Sequence, residues 1–184
     1  MKAKIYTNDF NRIIAATKDF VGQSVNKKLH TYIRLEFRAD EQRVTAIAVD
    51  GHKMSVEHAV CECDEDFNAY VRSNVKLPSG LNAIFEIQDG EVIIRCGEFI
   101  FGYQQPEGEF LDWEKVLPEA PTFKIGFNGN YLLSALKAAK VSAGNSFKSP
   151  IILEFRSPLD PVIIHTNKDD VKMILPIRIK EAAQ

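Results

Sequence analysis

The 184 residues are enough for one full hydrophobic core or for two small ones. Apolar residues at 45% and charged residues at 26% exclude a largely disordered or fibrous chain. A net charge of −2 excludes a protein that coats nucleic acid with its whole surface, but it leaves room for a local basic face.

The start, Met1 to Asn11, carries basic residues with no apolar run behind them, so it does not read as a signal peptide. Apolar runs are too short to cross a bilayer. The expectation is a cytoplasmic protein without membrane contact. Lys4 to Thr7 reads as a short strand and Asn8 or Asp9 as a helix N-cap. Phe10, Ile13, Ile14, Phe20 and Val21, with Thr17 beside them, give a helix one buried stripe, and Gly22 stops it. Tyr32 to Arg38 alternates as a half-buried strand; Arg43 to Val49 and Met54 to Val60 are the next two, joined through Asp50-Gly51.

Cys61 and Cys63, with Cys96, make no disulfide framework and read as reduced structural thiols. The middle of the chain is pure β, with strands at Ala69–Leu77, Ile84–Gln88, Val92–Arg95 and Phe99–Gln104. The stretch from Ser73 to Ala83 is short and holds Pro78 and Gly80, so no helix is expected there. Phe110 to Pro118 is a connector.

The opening pattern then returns. Lys124 to Phe127 reads as a strand and Asn128-Gly129-Asn130 as a turn and cap. Leu132, Leu133, Leu136 and Ala139 form a helical stripe. Strands follow at Pro150–Arg156, Val162–His165 and Lys172–Ile179. Leu153-Glu154-Phe155-Arg156 repeats Leu35-Glu36-Phe37-Arg38 at an offset of 118, which points to an internal repeat. The expected organisation is a first domain over 1–118, made of a βαβββ unit (1–64) and a β-rich unit (65–118), and a second βαβββ unit over 119–184. The fold class is α+β: antiparallel sheets with two helices on one face.

Charge is unevenly spread. Residues 8–28 hold Arg12, Lys18, Lys27 and Lys28 against Asp9 and Asp19, a net +2; residues 128–148 hold Lys137, Lys140 and Lys148 with no acid, a net +3. The remaining 142 residues carry −7. Basic helices on an acidic body suit non-specific contact with a phosphate backbone, and they equally suit a plain solvated face. The four histidines have no metal spacing, and no phosphate-loop or nucleophile-elbow motif is present. No cofactor, metal or catalysis is expected. Met173 to Ile179 alternates poorly and contains Pro176, as in an edge strand lining a groove or a buried closing strand.

Three stretches resemble the bacterial replicative sliding clamp, the beta subunit of DNA polymerase III: Val49 to Met54, Glu109 to Pro118, and Lys124 to Ile179. The resemblance implies a DNA-clamp-like fold of repeated βαβββ units and a non-catalytic processivity or recruitment role. It implies double-stranded DNA as a partner, for which the basic residues of the two charge windows, Arg12, Lys18, Lys27, Lys28, Lys137 and Lys140, are the candidate contacts. A DNA polymerase, a clamp loader or another protein with a clamp-binding peptide would be a second partner. Carried over by motif, the peptide pocket would take Gly51, His52, Lys53 and Met54 from the turn, and Leu111, Lys115 and Val116 from the connector. Met173, Ile174, Leu175, Pro176, Ile177 and Arg178 would come from the last strand. Lys53, Leu111 and Ile177 stand where the family usually has arginine, proline and methionine. A full clamp subunit has six such units and this chain has three, so a homo-oligomer is one implied arrangement. The alternative is a monomeric module that captures or competes for clamp-binding peptides without encircling DNA.

Overall fold

The computed structural model describes residues 1–23, 25–118, 120–144, 150–166 and 169–179, with the backbone alone for 25–27. The chain divides into two compact units, Met1–Val116 and Leu117–Gln184. No helix among the described residues is long and apolar enough to cross a membrane.

The first unit opens with β1 (Lys2–Tyr6) and α1 (Thr7–Thr17), followed by a 3-10 turn at Lys18–Phe20. The predicted cap at Asn8 or Asp9 gives way to an earlier start. Thr7 N–H donates to Leu81 O at 2.9 Å and Thr7 Oγ1 accepts from Leu81 N at 3.2 Å, so docking on residue 81 turns the chain into the helix at once. Asn8 instead accepts from Gly80 N. Phe10, Ile13, Ile14 and Thr17 are buried as the stripe requires, with Phe20 and Val21 packed against the same core.

Strands β2 (Tyr32–Arg38), β3 (Arg43–Val49) and β4 (Met54–Val60) complete the first βαβββ motif, and α1 packs on β3 and β4. After the two-residue β5 (Glu62–Cys63), the second motif runs through β6 (Phe67–Arg72), β7 (Asn82–Gln88), β8 (Glu91–Cys96) and β9 (Phe99–Gln104). The strand expected over 69–77 ends at Arg72. Beyond it the chain forms an irregular loop in the helix's place, because Asn11 of α1 grips it: Asn11 Nδ2 donates to Leu77 O at 2.8 Å and Oδ1 accepts from Leu77 N at 2.9 Å. Val75 and Leu77 are thereby driven into the core.

The two motifs exchange their first strands. β1 keeps β5 of its own motif on one edge and pairs antiparallel with β7 on the other, giving the order β5-β1-β7-β8-β9; β6 pairs with β2, giving β4-β3-β2-β6. The inner faces meet through aromatic rings, with Phe85 5.3 Å from Phe10 and 5.5 Å from Phe37, and Phe37 stacked on Phe67 at 4.4 Å. Cys61, Cys63 and Cys96 are buried free thiols, and burial pushes Cys61 up to about 12.

Among its described residues the second unit holds one motif. Asn128 caps α2 (Gly129–Ala143), its side chain accepting from Asn130 N at 3.0 Å. Gly144 closes the helix at φ +76, a conformation that costs glycine little. β10 (Ile152–Glu154), β11 (Val162–His165) and β12 (Lys172–Ile174) form an antiparallel sheet in that order. α2 packs on β11 and β12, burying Ala135 and Ala139 against Val162, Ile164 and Ile174.

Three expectations are corrected in this unit. Leu133 points outward, because the small Ala135, Ala139 and Ala143 form the contact line. The strand expected at 124–127 is a single bridge, Gly126 to Ile177, since no second strand lies on its other side among the described residues. The last strand stops at Ile174, where Pro176 has no N–H to continue the ladder.

Candidate peptide groove and basic helix faces

The end of β12 and the first turns of α2 enclose an apolar groove of about 470 Å³. Its walls are Met173, Ile174, Leu175, Pro176 and Ile177 on one side and Tyr131, Ser134 and Ala135 on the other. The backbone explains how both sides are presented. Ile177 N–H donates to Gly126 O at 2.8 Å, holding the segment beyond Pro176 beside the entry to the helix. A Cβ on Gly126 would meet Ile179 at 2.9 Å and Ile177 at 3.2 Å, so glycine permits that approach. Ile174 is buried in the unit's core, whereas Met173, Leu175, Ile177 and Tyr131 stay exposed.

Five of the six last-strand residues expected in a pocket thus line one groove; Arg178 is exposed and does not line it. Sequence reasoning missed Tyr131, Ser134 and Ala135 as groove residues. Their i, i+3, i+4 spacing on α2 was the available signal.

The other expected pocket residues belong to the first unit. Gly51 takes φ +98 in a turn where Asp50 Oδ1 accepts from His52 N at 2.8 Å and Lys53 N at 3.0 Å. The His52 N–H above all holds Asp50 below the usual carboxylate range. Lys53 is committed locally: its Nζ donates to Asp19 O and lies 5.3 Å from the Phe20 ring centroid. Met54 starts β4 half-buried. Leu111 borders a charged cavity of about 410 Å³ with Arg34, Arg38 and Arg43, cations paired to Glu36 or Glu41. Lys115 and Val116 are exposed on a 3-10 turn, where Lys115 pairs with Asp112 at 2.8 Å.

Of the expected DNA contacts, Arg12 is already engaged, its guanidinium donating to Glu57 at 3.0 Å and to His58 O at 2.6 Å. Lys18 and Lys28 are exposed; the side chain of Lys27 lies outside the described residues, as does Lys148. Lys137 and Lys140 are exposed on α2, which contains no acidic residue. Among the described residues no group of three or more His, Cys, Asp or Glu side chains could hold a metal ion.

Solved structures share this fold. The DNA polymerase sliding clamp of Bacillus subtilis superposes with a TM-score of 0.85 at 16% identity, over 99% of this chain and 50% of the clamp. The DNA polymerase III beta subunit of Thermotoga maritima gives 0.82 at 14%, over 96% and 50%. The fold is that of a bacterial sliding clamp. A Pseudomonas aeruginosa sliding clamp gives 0.82 at 15% identity, over 96% of this chain and 51% of its own. The chain therefore spans about half the length of the clamps it matches. No protein-family model and no curated protein matches it.

Proposed function

We propose that this chain is a non-catalytic, clamp-fold module that captures short peptides of replication proteins in the groove between β12 and α2. The exposed apolar lining carries this reading: Met173, Leu175, Ile177 and Tyr131 face solvent around a groove whose floor is the buried Ile174. Methionine and leucine side chains adapt to varied apolar anchors, and two or three anchors supply most of the affinity of such contacts. Covering roughly 150 Å² of apolar area gives about 4 kcal/mol gross before ordering costs. The test is calorimetric titration of the full chain with a peptide of the clamp-binding pattern. Saturable micromolar binding, lost when the peptide's apolar anchors become alanine, is expected; no heat at millimolar peptide overturns the reading.

A second reading, a sliding processivity or recruitment factor on double-stranded DNA, is favoured by one observation. α2 presents Lys137 and Lys140 with no acid on the same helix. Such contacts would be sequence-independent and would weaken steeply with salt. The engagement of Arg12 by Glu57 argues for the peptide-capture reading first.

A further inference from the structure

The first unit shows what a motif of this kind does with its free edges. β1 pairs on one side with β5 of its own motif, at Lys4↔Glu62, and on the other with β7 of its companion, at Lys2↔Glu86 and Ala3↔Phe85. β2 receives β6 of the companion. Under that exchange Leu35 and Phe37 are 0% exposed.

Among the described residues the second unit holds one such motif and no second motif paired with it inside the unit. The bridge Gly126↔Ile177 matches the β1–β5 side, and the opposite side of 124–127 has no strand on it among the described residues. β10 is likewise an edge. Leu153 and Phe155, the repeat counterparts of Leu35 and Phe37, are 38% and 45% exposed. Phe123, with its ring 6.4 Å from that of Phe155, is also exposed. An apolar cluster beside an unpaired strand edge is a template for another strand.

We propose that a second copy of this chain completes this half-domain, the 124–127 segment of each copy adding antiparallel to β10 of the other. The two helices begin at Thr7 and Gly129, so Lys124 corresponds to Lys2. Glu154 follows Leu153 as Glu86 follows Phe85, each the first strand after its motif's helix or loop. The register of β1 on β7 then sets Lys124 opposite Glu154 of the other copy and Ile125 opposite its Leu153. The ion pair between Lys2 and Glu86, 3.5 Å in the first unit, is the template for that charge match. A second copy fits better than an unrelated strand. In the first unit one such motif closes another by reciprocal exchange, and a two-fold axis makes every contact twice.

Sedimentation velocity on the full chain, from low to high micromolar, tests this. A monomer–dimer equilibrium is expected. Lys124→Glu and Glu154→Lys each weaken it about tenfold, since each reverses two symmetric pairs, and the double variant restores it. Leu153→Asp with Phe155→Asp abolishes the dimer while circular dichroism stays native, because both side chains are half-exposed in the single chain. Titrating the groove peptide into these variants separates the two ideas: peptide affinity is expected to persist when the dimer is lost. A wild-type chain that stays monomeric throughout overturns the proposal. So does a dimer unchanged both by the two single reversals and by the double aspartate variant.

Discussion

Leu175 offers the sharpest test of the groove, because it is 63% exposed in the free chain. Fully burying a leucine side chain is worth about 1.5–3 kcal/mol, so a peptide covering the exposed part gains about 1–2 kcal/mol there. Leu175→Ala removes most of that gain and raises Kd about five- to thirtyfold. An exposed side chain contributes little to folding, so stability should move by no more than about 0.5 kcal/mol. Ile164→Ala is the contrasting variant. Ile164 is fully buried under α2 and does not line the groove, so its truncation costs about 2–5 kcal/mol of stability. Calorimetry with the peptide and a thermal melt on each protein give both quantities. The reasoning fails if Leu175→Ala leaves Kd within about twofold of wild type while remaining folded.

Three other outcomes follow from the geometry. If DNA is bound, Lys137→Ala and Lys140→Ala should each lower the slope of log affinity against log salt by about 0.9 in a polarisation assay. Arg12→Ala should leave the slope unchanged, because Glu57 and the His58 carbonyl already hold that guanidinium. Asn11→Ala should destabilise the first unit by about 1–3 kcal/mol in urea melts, since both Leu77 backbone groups lose their partner together. Asp170 is held down to about 2, first by the Lys172 ammonium and then by the Thr166 hydroxyl. A carboxyl depressed on folding stabilises above its unfolded value near 3.8 and loses that support as pH falls through about 2. Melts between pH 5 and pH 2 should therefore flatten in Asp170→Asn.

Local periodicity was the legible part of this chain. β3, β4, β9 and β11 fall where alternation and turn residues placed them, since neighbours two residues apart decide which face is buried. The absent second helix was legible too, in the shortness of 73–83 and its proline. What failed depended on partners distant in sequence. The start of α1 is set by Leu81 and the path of 73–81 by Asn11, and neither leaves a mark at the position it controls. Lys124 to Phe127 has the composition of a strand but only one bridge, because a strand also needs a neighbour. In the candidate groove, poor alternation and Pro176 marked Met173 to Ile177 as an edge segment able to line a groove, and the resemblance then named them as pocket residues. Tyr131, Ser134 and Ala135 required knowing which side of α2 meets β12.

The two units close their cores by different means, and this bears on where binding energy can act. In the first, the loop replacing a helix still plugs the core with Val75 and Leu77 beneath a continuous aromatic cluster. In the second, the helix buries alanines, whose small side chains allow close approach but remove little apolar area from water. Small units with slender cores are marginal alone and gain from association. Whatever binds the folded form of the second unit, a peptide beside β12 or another chain along β10, stabilises it by mass action. Hydrogen exchange resolves this strand by strand. Amides of Val162–His165 should exchange faster than those of Tyr32–Arg38 in the free chain, and saturating peptide should slow the former alone. Equal protection in both strands without any ligand would mean that the alanine-packed unit is stable unaided.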